Sequence, residues 1–200
     1  MRYTLAGNRQ PRFDMSNTPE KPFPVSYWVE PGRLLAGEYP LYLPNTDQAD
    51  GYDRPTDNRE RVRRLLEAGV TLFIDLTEEG EQPPYMPLVE EEAARLGVRV
   101  EHHRWPLRDF ARPPEDTLVA ILDDLDAALR AGHTVYVHCK AGIGRTGMVV
   151  GTYLVRRGLS GAEALAQIAR WREDVPDDRP SPLVERQREL VRRWSEDGRK

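Results

Sequence analysis

Short apolar runs of strand character alternate along the chain with longer stretches in which apolar residues recur at helical spacing. "SYWVEPGRLLAG" (26–37) reads as two short strands joined at Pro31-Gly32. "PLYLPNTDQADGYDRP" (40–55) is a polar loop. Asp57 can then cap a helix with Glu60 three positions later, placing Val62, Leu65, Leu66 and Val70 at helical spacing. "VTLFIDL" (70–76) is a buried strand by its apolar and β-branched content. The acidic loop "TEEGEQPPY" follows, then a helix over about 86–96 and a strand, "VRVEHHRW" (98–105), ended by Pro106.

The clearest helix is "PPEDTLVAILDDLDAALRAG". Prolines open it, Leu118, Ile121, Leu122, Leu125 and Leu129 line one face, and Gly132 closes it. "HTVYVH" is the last strand. Only helices follow: about 145–157, then 160–173 from a Ser160/Glu163 capping box, then 182–195 with Pro182 in its first turn. Strands alternating with crossovers of this length predict an α/β layer fold, a mostly parallel sheet of four or five strands flanked by helices. Residues 1–24 carry four prolines and little periodicity, so an irregular or mobile arm is expected there, with one domain over 25–200.

Composition narrows the function. Hydrophobic residues make up 39% and charged ones 31%, an ordinary soluble balance. The net charge of -4 gives no support to a general nucleic-acid binder. No apolar run approaches the ~20 residues that span a bilayer. "MRYTLAGNRQPRF" lacks the apolar core of a secretory signal, so the cytoplasm is the expected location. Cys139 is the single cysteine, which excludes an internal disulfide and argues against a thiolate metal cluster.

That cysteine lies in "HCKAGIGRTG" (138–147), between the last strand and a helix. Gly142, Gly144 and Gly147 spell G-x-G-x-x-G, the outline of a dinucleotide site. Such a loop should follow the first strand, with more strands after it to carry the second nucleotide. Here no strand-like segment follows residue 147, and Glu163, the acidic residue at about the right distance, already fits a helix cap. The alternative uses every unusual residue. The strand delivers Cys139 to the rim of the sheet, and the loop amides with the positive end of the next helix form a cradle for a tetrahedral dianion. The same cradle favours a thiolate. Arg145 adds a planar fork matched to two phosphate oxygens.

"HCKAGIGRTG" resembles the signature loop H-C-x-x-G-x-x-R-[S/T] of the protein-tyrosine and dual-specificity phosphatase superfamily, at every specified position. The resemblance runs from about residue 25 to the C-terminus. It implies Cys139 as nucleophile, with Lys140, Ala141, Gly142, Ile143, Gly144 and Arg145 around the phosphate. Thr146 would stabilise the departing thiolate, and His138 would orient the loop from behind. A leaving oxygen needs a proton, and "WPLRDFARPP" offers Asp109, 30 residues ahead of Cys139. Trp105-Pro106 is similar to the acid loop of the tyrosine-specific branch, but its aspartate stands three residues after the proline, which favours the dual-specificity comparison. Glu78, Glu79 and Glu81 compete for the acid role, though their crowding suggests a solvated face. Gln187 lies in a segment similar to one carrying a water-positioning glutamine; a surface-facing residue is an equal expectation.

His102 and His103 are neighbours on a strand, point to opposite faces and cannot share a metal. The implied chemistry needs neither metal nor cofactor. Its substrate is a phosphorylated protein or peptide, with an inositol phosphate or phosphoinositide as the alternative. Lys140, Arg108 and Arg112 would favour the polyanion. Ile143, where the best-known lipid-acting pattern carries a lysine, and the acidic "TEEGEQ" loop would favour a basic peptide. A phospho-reader without turnover, or a rhodanese-type sulfur carrier, would not need the Cys139, Arg145 and Asp109 set.

Overall fold

The computed structural model describes residues 18–43 and 57–196. Strands β1 (Ser26–Glu30) and β2 (Leu34–Gly37) form an antiparallel hairpin, as their alternation around Pro31-Gly32 predicts. Strands β3 (Val70–Asp75), β4 (Glu101–Arg104) and β5 (Thr134–His138) complete a five-stranded sheet in the order β1-β2-β5-β3-β4. All pairings except β1·β2 are parallel. β5 therefore sits at the centre, and its C-terminal end is level with those of β2 and β3: Gly37 and Asp75 both align with His138.

Side-chain alternation along the central strands divides the core in two. Leu72, Ile74, Val135 and Val137 face α3 (Glu115–Ala131), α4 (Gly144–Arg156), α5 (Gly161–Trp171) and α6 (Glu185–Arg192). Phe73 and Tyr136 face the other way, towards α1 (Asn58–Glu67) and α2 (Met86–Leu96). α3 contributes the stripe read from the sequence, Leu118, Ile121, Leu122, Leu125 and Leu129, all buried. At roughly 1.5–3 kcal/mol for each large aliphatic side chain buried, that stripe rather than helix propensity anchors it.

Several boundaries differ from the sequence expectation, each for a local reason. β4 begins at Glu101 rather than 98, because Val98 N–H donates to Ala93 O and closes α2 behind the left-handed Gly97. α6 begins at Glu185 rather than Pro182. Residues 181–183 are drawn elsewhere: the Ser181 hydroxyl donates to Ile143 O at 2.8 Å, and Arg188 donates to the carbonyls of Pro182 and Leu183. Asp57 caps α1 by accepting Arg59 N–H, but Glu60 pairs with Arg63 and Arg64 instead of completing a box. The Ser160/Glu163 box on α5 is complete.

Phe23, within the stretch expected to be an arm, is 2% exposed, edge-on to Tyr136 and beneath the Arg61 guanidinium. Residues 1–17 of that stretch and most of the 40–55 loop lie outside the described residues. Among the described residues no helix is long and apolar enough to cross a membrane, and no group of three or more histidine, cysteine or acidic side chains is placed to hold a metal.

Candidate active site

At the C-terminal ends of β2, β5 and β3 the chain leaves β5, passes through Cys139 and enters α4 at Gly144. In open α/β sheets this edge is where ligands bind. Three contacts fix the loop. Leu76 N–H donates to His138 O, Tyr39 N–H to Lys140 O, and the Ser181 hydroxyl to Ile143 O. Gly142 has a φ of 70°, and a Cβ there would fall 2.4 Å from the Gly37 carbonyl carbon, so glycine alone lets the loop lie flat on the end of β2. Gly142, Ile143 and Gly144 are buried; Lys140 and Ala141 are half-buried. Cys139 is 3% exposed.

His138 lies wholly inside, stacked on Tyr136 and edge-on to Tyr39 and Tyr85. Its Nε2 shares a 2.8 Å hydrogen bond with the Tyr85 hydroxyl, and its Nδ1 lies 3.4 Å from Cys139 O. Burial pushes the imidazole down to about 4, although the nearby Asp75 carboxylate opposes the shift. A neutral ring at physiological pH can orient the loop without adding charge behind it.

Arg145 is 1% exposed in the first turn of α4. Its two terminal nitrogens donate to the two Glu81 oxygens, each at 2.6 Å. Nη1 also reaches Leu107 O at 3.2 Å and Leu76 O at 3.4 Å. Glu81 is thus not on a solvated face, as its acidic neighbours suggested; it clasps the guanidinium bidentately, while Glu78 and Glu79 are exposed. Burial alone would raise the Glu81 carboxyl, but the Arg145 hydrogen bonds, Glu78 N–H and the Lys140 charge together hold it below the usual carboxylate range. Burial likewise works against the Arg145 cation, and Glu81 outweighs it.

Asp109 comes to the same guanidinium from the loop after β4. Its Oδ1 lies 3.4 Å from Arg145 Nε, out of line for a hydrogen bond, and accepts Phe110 N–H at 3.0 Å. The fold therefore assembles Cys139, Arg145 and Asp109 at one rim. Arg112 is tied to Glu115, so only part of the positive charge expected beside Asp109 is available.

Gln187 does not face solvent. It is fully buried on α6, with Oε1 3.2 Å from where a Gly144 Cβ would stand. Three buried polar atoms around the loop have no hydrogen-bond partner: Arg145 Nε, Thr146 Oγ1 and Gln187 Nε2. Each such atom costs about 1–3 kcal/mol until it meets an acceptor. The chemistry of the donors fits a phosphate.

Behind the loop lies a network that sequence reading missed. Asp75, fully buried, accepts Thr77 N–H and Oγ1–H on one oxygen, and Arg104 and the more distant His102 on the other. Burial would raise this carboxyl, but the His102 and Thr77 bonds, with the His138 ring nearby, hold it well below the usual range. The available signal was a charged residue ending an apolar strand, which must find partners. His103 turns to the opposite side and pairs with Asp124, which also accepts Trp105 Nε1–H at 2.7 Å.

The fold and the signature loop are those of the protein-tyrosine and dual-specificity phosphatase class. The family model described as "Polymorphic toxin system, DSP-PTPase phosphatase" matches residues 49–159, more than half of the chain, and the chain belongs to that family. It is similar to human dual specificity phosphatase 28, with 36% identity over 121 residues covering 60% of each protein. Phosphatidylglycerophosphate phosphatase PTPMT2 of Arabidopsis thaliana is 34% identical over 141 residues, 68% of this chain and 56% of that protein. Among solved structures, a glycine-to-alanine mutant form of Tk-PTP superposes with a TM-score of 0.60 at 25% identity, covering 84% of this chain and 92% of the other. The chain spans less than two thirds of the length of the curated relatives it matches.

Proposed function

We propose that the chain hydrolyses phosphomonoesters through a cysteinyl-phosphate intermediate, as a protein-tyrosine or dual-specificity phosphatase. The observation that supports this most is the cluster of unpartnered buried polar atoms, on Arg145, Thr146 and Gln187, around a loop that carries the single thiol. In the first step the Cys139 thiolate attacks phosphorus in line while Arg145 and the loop amides hold the equatorial oxygens. Asp109, acting as general acid, gives a proton to the leaving oxygen as the P–O bond breaks. In the second step Gln187 positions a water, Asp109 takes a proton from it, and the S–P bond breaks to release phosphate. Thr146 then donates to the returning thiolate. His138 supports the loop throughout. Neither step draws on a metal or cofactor.

A phosphorylated protein or peptide is the substrate the rim favours. Glu81 reaches Arg145, and its exposed neighbours Glu78 and Glu79 would attract basic residues flanking a phosphate. The second reading is an inositol phosphate or phosphoinositide; the likeness to PTPMT2, named for phosphatidylglycerophosphate, supports a phospholipid headgroup. A thiol nucleophile must stay reduced to work, which is the basis for placing the protein in the cytoplasm.

The test is kcat/KM on phosphotyrosine peptides and on inositol polyphosphates at equal concentrations, with Cys139→Ser beside the wild type. Peptide hydrolysis that rises with basic flanking residues, and vanishes in Cys139→Ser, is expected. A tenfold or greater preference for inositol polyphosphates overturns the substrate reading. Residual turnover in Cys139→Ser within tenfold of wild type overturns the mechanism.

A further inference from the structure

Phe110, directly after the proposed acid, is the only non-glycine residue with positive φ among the described residues, at 56°. An aromatic residue is held there only against steric strain. Both halves of its backbone are engaged. Its N–H donates to Asp109 Oδ1 at 3.0 Å, and its carbonyl accepts Arg186 Nε–H from the first turn of α6. Arg186 has no other task in view. The described residues give it no carboxylate partner, and the adjacent Glu185 is taken by Arg188 and Arg192. The next residue is Gln187, buried against the phosphate loop.

We propose that Arg186 is a positioning residue that holds the acid loop in its working form, so that one turn of α6 sets both loops of the site. The inference rests on Asp109 being the proton donor. Without Arg186 the Phe110 carbonyl loses its side-chain donor, and the left-handed backbone keeps only the Ala111 N–H to Arg108 O turn bond, at 3.2 Å, and the Asp109 contact. Phe110 then relaxes to negative φ and the turn it shares with Asp109 opens; as ψ of Asp109 readjusts, the Phe110 N–H swings off Oδ1 and the carboxyl loses its bearing on the leaving oxygen. Attack by the thiol does not pass through this contact.

The consequence is a leaving-group signature that a general packing defect would not produce. Arg186→Ala should lower kcat about tenfold or more on phenyl phosphate, which needs a proton donor, and less than twofold on 2,4-dinitrophenyl phosphate, which does not. KM and tungstate affinity should stay unchanged. Arg186→Lys, which keeps a donor of similar reach, should recover part of the loss. In an Asp109→Asn background, Arg186→Ala should do nothing further on phenyl phosphate. Equal loss on both substrates, or full additivity with Asp109→Asn, overturns the proposal while the acid assignment stands. If Asp109→Asn itself affects both substrates equally, the acid assignment fails and this inference fails with it.

Discussion

His138 shows how a residue's chemistry is set by what encloses it. Free, its imidazole would titrate near 6.5; enclosed, burial holds it near 4. As pH falls from about 7, the unfolded chain takes up a proton here that the folded protein refuses. Stability should therefore decline between about pH 6.5 and 4 and this contribution should flatten below, the full loss being on the order of 3 kcal/mol. Asp75 and Glu81, both held below the usual carboxylate range, add their own loss only below about pH 5, so the interval from pH 7 to 5 reads the ring. Urea unfolding at several pH values would measure it, with His138→Gln removing the slope. A free energy independent of pH from 7 to 5 would contradict the buried neutral ring. At this scale Cys139 and Arg145 were legible because their signature is local. Glu81 was not, since its partner lies 64 residues away.

At the scale of elements, the meeting of α5 and α6 leaves the least room. A Cβ on Gly161 would lie 2.3 Å from Val191 O and 2.4 Å from Arg192 Cα, main-chain atoms that cannot turn aside. Gly161→Ala should therefore destabilise by about 1–3 kcal/mol, lowering Tm by several degrees. Because α6 carries Arg186 and Gln187, activity should fall more steeply than stability. An unchanged melting curve would show that the two helices can part without strain. The helices with long apolar stripes, α3 above all, were readable in the sequence to within a residue. The starts of β4 and α6 were not, because Val98 and Ser181 commit their hydrogen-bonding groups to carbonyls that periodicity cannot register.

Across the whole molecule, the site lies where three parallel strands end, so a ligand there braces both layers of the core. Tungstate, a tetrahedral dianion that binds only the folded loop, should stabilise by about 2.7 kcal/mol at a hundred times its Kd. In a chain of 200 residues that is roughly 5–10 °C in Tm. Cys139→Ser should keep the shift, and Arg145→Ala should lose it. No shift in the wild type would mean that the cradle does not hold oxyanions. The α/β class was evident from alternating strands and helices. The order of the sheet was not, because nothing local says that β2 lies beside β5, a strand about 100 residues later.

The Glu81 clasp makes the guanidinium an ion exchanger. A bare arginine at the bottom of a cleft would collect whatever small anion the medium supplies. Arg145 already holds a well-aligned carboxylate on two of its nitrogens, and it gains by releasing it only for a visitor carrying more charge. A monoester dianion meets that requirement; chloride, acetate and a phosphodiester, each with one charge, do not. The clasp should therefore act as a valence filter, turning away monoanions before any bond is made or broken. Glu81→Gln should remove it, so that chloride and acetate begin to compete with tungstate at millimolar concentrations. If they compete no better than in the wild type, selectivity for the dianion resides in the loop amides alone.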